Sequence, residues 1–463
     1  FGSSRWLAAT DTVVSDYGFL SHPMVGCFSK AFVVAPFLLH FAAAARMKEE
    51  ALALETGSLP LFTFGGAEHS YEQVGLEHGE HGRDRIQAFL ATDFIGRLRG
   101  FRDSDGSYFF RRLVQTNAAA FPDYASEIAG IARGANATPD DIWMLNLMGE
   151  MLAAKVYKMA PGTDSAISKL APASPSTGAG SALAELARPA RQRTSGAQEE
   201  HCSTFVSFFE GGDLALGHTE DWDSEFVGII YLQDVVYPGG THLVGFGYPG
   251  QILGFAIVAN AHGLLFTQNS VWPREVHGGL GLTFVGRRAM DEATIEGAAA
   301  RLRDGPQAWG VSVNIVSLAA MRGANVEVSH GGGEGPSDVQ WVAGPGQSLV
   351  HFNRFRRLAA ENGMDSASSR GRNDHQQVLG PPRSADELRE RLCYKGEQGG
   401  EPGAASPPPD AIYRPSTMMT WLVTKPKEGA ATVLVWHGVS ACEGEPRVIG
   451  LPSHVHGQGS AAL

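Results

Sequence analysis

The sequence predicts an α+β protein in which helices cover stacked antiparallel sheets. Helical spacing dominates from about residue 71 to 155, and short apolar runs with glycine-rich turns dominate after residue 202. Those runs fall into two blocks separated by one helix, at about Leu282–Leu302.

Folded sequence begins near Leu59 with the strand-like LPLFTF, residues 59–64. From Tyr71 to Leu98 the apolar positions Val74, Ile86, Phe89, Leu90 and Phe94 recur among charges at broadly helical spacing. A second helix is expected over Tyr108–Arg133, with Pro122 as a break point. The third has the clearest start signal: Thr138 as N-cap, Pro139 at the first helical position and Asp140 and Asp141 in the first turn. Between Pro161 and Glu200 the residues are mainly Ala, Ser, Pro, Gly and Thr, too few of them large and apolar to offset the entropy of ordering, so the segment reads as a linker. Strands are then expected at 203–209, 213–218, 226–236, 242–247, 252–260, 263–268, 311–319, 325–330, 339–344, 348–353, 418–425 and 431–438. Low-complexity inserts interrupt them at 331–337 and 396–409.

Composition narrows the function. Across 463 residues the formal charge is -12, which opposes the cationic contacts that nucleic acid or an anionic membrane requires. Four cysteines, Cys27, Cys202, Cys393 and Cys442, are too scattered for a disulfide framework and allow at most one bridge and one reactive thiol. The first residue is Phe and the first Met is Met24, so residues 1–23 are set aside. Lys30, the apolar run 31–41 and AAAAR at 42–46 then match the parts of a signal peptide, with a transit-type or disordered leader as the alternative. The expected organisation is a leader at 1–58, a helical region at 59–155, a linker at 156–201 and a catalytic region at 202–463. The expected location is the secretory lumen or outside the cell, with cytoplasmic or organellar as the alternative.

Four local patterns compete for chemistry. Gly245, Gly247 and Gly250 form a GxGxxG, but Pro249 interrupts it and strand-like ILGFAIV follows where a dinucleotide site needs a helix, so a hairpin turn is the better reading. His78 and His81 lack further ligands at matched spacing and read as a solvated helical face. In GHTEDWD, residues 217–223, a histidine and three acids crowd a strand end without calcium-loop spacing, and a charged loop is the simpler account. No cofactor and no metal are expected. Cys202 differs because it stands where the linker meets the first strand of a sheet block. Were the His201–Cys202 bond cut, one residue would carry both a thiol and an α-amine of pKa about 7.7–8.0, a nucleophile with its own base.

The residues around these positions resemble the acyl-coenzyme A:isopenicillin N acyltransferase family of N-terminal-nucleophile proteins, which includes N-β-alanyl-dopamine hydrolase. The resemblance is carried by YEQVGLEHGEHGRDRI (71–86), with Gly75 and a Glu77-His78-Gly79 turn, and by YASEIAGIARGANATPDDIWMLNLMGEM (124–151), with Leu145 and Asn146. Cys202-Ser203-Thr204, Gly217–Trp222, NAHGLLFTQN (260–269), HFNR (351–354) and YRPSTMM (413–419) continue it in the same order. The resemblance implies an αββα sandwich, a self-processing amidohydrolase or acyltransferase, and a linear amide or acyl thioester of small size as substrate. It implies Cys202 as nucleophile, Asp221 facing it, Asn353 in the oxyanion hole and Arg414 as catalytic arginine, with Asn269 and Trp222 near the substrate. The cleaved N-terminal fragment would stay as partner. The sequence departs from the family's common Gly at His201 and in the length of its linker. Two alternatives stay open: a cysteine amidase of the bile-salt-hydrolase or penicillin-V-acylase type, which lacks the long N-terminal helical region, and a catalytically silent binding module.

Overall fold

A computed structural model describes residues 59–156, 202–329, 336–363, 366–396 and 407–452. The leader, the linker with His201, and most of both low-complexity inserts lie outside the described residues.

The N-terminal region opens with β1 (Leu61–Gly65) and continues through α1 (Tyr71–Leu90), α2 (Asp93–Arg102), α3 (Ser107–Ala120), α4 (Pro122–Gly134), α5 (Pro139–Asn146) and α6 (Met148–Val156). The expected break at Pro122 falls where α3 gives way to α4, and Thr138 accepts from Asp141 N as the N-cap of α5. Four glycines explain how α1 meets α4. A Cβ on Gly75 would lie 2.0 Å from Glu127 O, on Gly79 2.4 Å from Ile131 O, on Gly130 2.2 Å from Glu72 O and on Gly134 2.2 Å from Leu76 O. The two backbones touch, and any side chain there forces them apart. The Glu77-His78-Gly79 segment is therefore part of a helix and not a turn.

After Cys202 come β2 (Ser203–Phe208), β3 (Leu214–Asp221), β4 (Tyr231–Val236), β5 (His242–Gly247), β6 (Val258–Asn260) and β7 (Leu264–Asn269). Then follow α7 (Leu282–Met290), α8 (Ile295–Arg303), β8 (Val311–Ser317), β9 (Arg322–Val328), β10 (Ser337–Ala343) and β11 (Ser348–His351). The chain closes with α9 (Ala367–Leu379), α10 (Ala385–Leu392), β12 (Thr417–Lys425), β13 (Thr432–His437) and β14 (Arg447–Ile449). One sheet has the order β1-β4-β5-β6-β7-β8-β9-β10 and the other β11-β2-β3-β12-β13-β14. Pairing is antiparallel except between β1 and β4, so the N-terminal region contributes an edge strand to the larger sheet.

The molecule is an α+β sandwich of the N-terminal-nucleophile type. α1, α7 and α8 pack on the larger sheet and α10 on the smaller. Strand β2 shows the two faces: Val206 and Phe208 enter the main core, while Phe205 joins Leu388 and Leu392 of α10. On β3 the same alternation turns Leu214, Leu216 and His218 inward, and Gly217 toward α10, where a Cβ would sit 2.4 Å from Leu388. No helix among the described residues is long and apolar enough to cross a membrane. Cys393 and Cys442 form a disulfide, the one bridge that the cysteine count allowed, tying the end of α10 to the segment after β13.

Burial of polar residues sets the structure apart from the sequence reading in the N-terminal region. His78 is fully buried rather than solvated, and burial, with His81 nearby, holds its pKa down at about 3; it stacks on Phe64 and bonds Tyr231 OH at 2.8 Å. Asn146 accepts from Ile252 N and donates to Gly250 O, and Gln251 Nε2 donates to Leu145 O. The Leu-Asn pair thus fastens the GxGxxG turn to α5, and no helix opens after that turn. The continuous helix expected to 302 divides into α7 and α8, and the strand expected from 252 narrows to β6.

Glu150 on α6 is buried too and accepts from Leu282 N at 2.7 Å, supplying the N-terminus of α7 with an acceptor that Gly281 lacks. Burial raises its carboxyl to about 7 despite that bond. The protonated form is the one the fold prefers, so its stabilisation is full below the ordinary value near 4.5 and is lost as pH rises through 7. Glu150→Gln keeps the acceptor and cannot ionise. Chemical denaturation of both proteins from pH 5 to 8 is expected to show the wild type losing on the order of 3 kcal/mol relative to the variant. Parallel curves would contradict the assignment.

Candidate active site

Cys202 heads β2 and is only 4% exposed. Two groups hold its backbone carbonyl: Asn269 Nδ2 on β7 donates at 3.1 Å and Arg372 Nη1 on α9 at 2.9 Å. The first bond crosses between the sheets. Behind Asn269 a line of amides runs through the larger sheet. Asn314 Nδ2 donates to Asn269 Oδ1 at 2.8 Å, Asn325 Nδ2 to Asn314 Oδ1 at 2.9 Å, and Arg357 Nη2 to Asn325 Oδ1 at 2.7 Å. All three amides are fully buried. Each is satisfied at both ends, so the line is stiff and its last donor points at the Cys202 carbonyl. Trp222 follows β3 and packs against Phe94 and Tyr248 beside a small pocket shared with Gln251 and Phe255.

The alternation of β2 and β3 decides what surrounds the thiol. Donor atoms of Cys202, His218 and Glu220 lie within 4.8 Å of one another, all three residues buried. His218 Nδ1 pairs with Thr204 Oγ1 at 2.8 Å, His218 Nε2 with Glu220 Oε2 at 3.1 Å, and Tyr248 OH donates to Glu220 Oε1 at 2.7 Å. Thiol, imidazole and carboxylate are donor types that could hold a zinc-like ion. Both ring nitrogens of His218 are already partnered, so the imidazole is not poised as a simple base for the sulfur. Residues 217–221, read as a charged loop, are in fact the end of a fully buried central strand.

Asp221 comes to the other side. Thr219 accepts from Ser203 N at 3.2 Å and donates to Asp221 Oδ2 at 3.3 Å, which places Asp221 with Ser203 on the α10-facing side of the smaller sheet. The resemblance implied that Asp221 faces the nucleophile; its side chain shares Thr219 with the backbone N of Ser203, the residue after Cys202. Burial raises the Asp221 carboxyl to about 6, opposed by Thr417, Arg414 and Arg372. Its Oδ1 is buried with no hydrogen-bond partner among the described residues. The register of β12 against β3 shifts between Thr417 and Met419, an irregularity beside the site that sets Thr417 opposite Asp221. Arg414 donates to Ala411 O at 3.0 Å and Ser368 Oγ at 2.5 Å, so it braces the segment before β12 as well as acting on Asp221.

Asn353 follows β11 and is buried. Its Nδ2 donates to Ser270 O at 3.1 Å, its Oδ1 accepts from Arg372 Nη2 at 3.0 Å, and its backbone N donates to Ser369 Oγ at 3.2 Å. Glu327 holds the following loop by accepting from Arg356 N, Arg357 N and Leu358 N. Cys202, Asn269, Asn353, Asp221 and Arg414 are thus joined through shared partners, and Arg372 is the residue that the sequence reading missed. Its signal was present: on α9 the buried positions Ser368, Ser369, Arg372 and Gln376 make a polar stripe at helical spacing.

A family model described as acyl-coenzyme A:6-aminopenicillanic acid acyl-transferase matches residues 208–395. Over that segment the chain is similar to this family. The acyl-transferase family match takes in Asp221, Trp222, Asn269, Asn353 and Arg372; Cys202 lies six residues before it and Arg414 after it. It supports acyl-transfer or hydrolase chemistry of the N-terminal-nucleophile type. No curated protein matches the chain.

Proposed function

We propose that the chain is a self-processing cysteine amidohydrolase or acyltransferase acting on a small amide or acyl thioester, with Cys202 as nucleophile. The observation that carries this reading is the position of Cys202 at the head of a central strand, its carbonyl held from both sides by Asn269 and Arg372. In the uncut chain the Cys202 sulfur attacks the carbonyl carbon of His201. The S–C bond forms, the C–N bond breaks, and the departing nitrogen takes a proton to become the α-amine. Water then hydrolyses the thioester and leaves Cys202 as an N-terminal residue. Asp221 Oδ1, buried and without a hydrogen-bond partner among the described residues, on the side of Ser203, is an acceptor suited to orienting that new amine.

In the mature form the α-amine takes the thiol proton and the thiolate attacks the substrate carbonyl. Asn353 donates to the developing oxyanion through the second hydrogen of Nδ2, and the acyl group passes to water or to an acceptor amine. Acyl-coenzyme A and 6-aminopenicillanic acid, named by the family, are the donor and acceptor to try first. Intact-mass measurement of purified protein tests processing. Two fragments are expected, the second beginning at Cys202, and Cys202→Ala is expected to stay whole. A wild-type chain that also stays whole would favour a silent binding module.

A further inference from the structure

Arg372 lies outside the set of residues to which the reading above assigns chemistry, yet it is fully buried and touches two members of that set. One guanidinium nitrogen, Nη1, donates to Cys202 O and to Ser203 Oγ, each at 2.9 Å. The other, Nη2, donates to Asn353 Oδ1 at 3.0 Å and to Ser369 Oγ at 3.3 Å. The group lies 4.8 Å from the centre of the Phe352 ring, and Asp221 supplies the nearby negative charge. A planar fork with fixed donor directions can tie two elements in one register, which a lysine ammonium cannot.

We infer that Arg372 is a positioning residue that locks the nucleophile to the oxyanion donor. The inference rests on the proposed cysteine chemistry and extends it. Two consequences of the geometry support it. Once the bond before Cys202 is cut, no residue precedes the nucleophile, and terminal residues fray unless tied; the two bonds to its carbonyl supply such a tie. By occupying Oδ1, Arg372 also fixes which end of the Asn353 amide is the donor, and leaves Nδ2 turned away from the guanidinium toward the side of Ser270.

The test uses the full chain and p-nitrophenyl acetate, whose acetyl group the thiol takes with release of nitrophenolate. Arg372→Ala is expected to lower kcat by about 100-fold with little change in KM, and millimolar guanidinium is expected to restore a measurable part of the rate. Combined with Asn353→Ala, the loss should fall well short of the product of the two single losses, because each variant breaks the same tie. Arg372→Lys, which keeps the buried charge, covers the case in which the alanine variant does not fold; it should show the same kcat defect with near-native melting. A full rate in Arg372→Lys, or strictly multiplicative losses in the double variant, would overturn the inference while leaving the nucleophile in place. Wild-type turnover indifferent to Cys202→Ala would instead remove the parent reading, and this one with it.

Discussion

Cys202→Ala is expected to abolish turnover, and Cys202→Ser to retain at most a trace of it. Serine matches cysteine closely in shape, so the buried start of β2 should accept it without loss of fold. Its hydroxyl is a far poorer nucleophile than a thiolate at neutral pH. Iodoacetamide should therefore inactivate the wild type in step with modification of Cys202; Cys393 and Cys442 are joined in a disulfide, and labelling of Cys27 in the leader should not track the loss of rate. EDTA should leave the rate intact, because the proposed steps use the sulfur, the amine and the Asn353 amide. A serine variant with full activity that is lost on chelation would move the chemistry to a metal held by the donors around His218 and Glu220.

Asn353→Ala carries the second large effect, a fall in kcat of about 100-fold or more with KM nearly unchanged. Donors aimed at developing oxyanion charge contribute about 2.7–4 kcal/mol in comparable sites, and they act mainly when that charge appears. The side chain is pinned by Arg372 on its oxygen and by Ser270 O on its nitrogen, so it needs no reorganisation during the reaction. Steady-state kinetics on a variant with native melting decides the matter. An unchanged kcat would take Asn353 out of the site.

The larger features of this architecture were legible in the chain because they rest on local signals. Thr138, Pro139 and the two following aspartates mark α5 as clearly in the sequence as in space. The strand runs with β-branched and aromatic residues fell close to β2, β5, β7 and β8. What escaped was burial of polar residues, which only tertiary structure creates. His218, Thr219, Glu220 and Asp221 are polar on both faces of β3, so period-two alternation carries no apolar mark there, and the strand looks like a loop. Similarly α9 has the composition of a solvated helix, and only the spacing of Ser368, Arg372 and Gln376 hints that one face turns inward. α10 and β14 were missed as well, the first highly charged and the second only three residues long.

The thiol of Cys202 is the group expected to take the acyl group. Wild-type protein given p-nitrophenyl acetate and quenched in acid should be digested and read by mass spectrometry. One acetyl group is expected as a thioester on the sulfur of Cys202, in a peptide that begins at that residue, removable by hydroxylamine and absent from Cys202→Ala. An acetyl group on a serine or lysine elsewhere, or none on Cys202 while nitrophenolate is released, would contradict it.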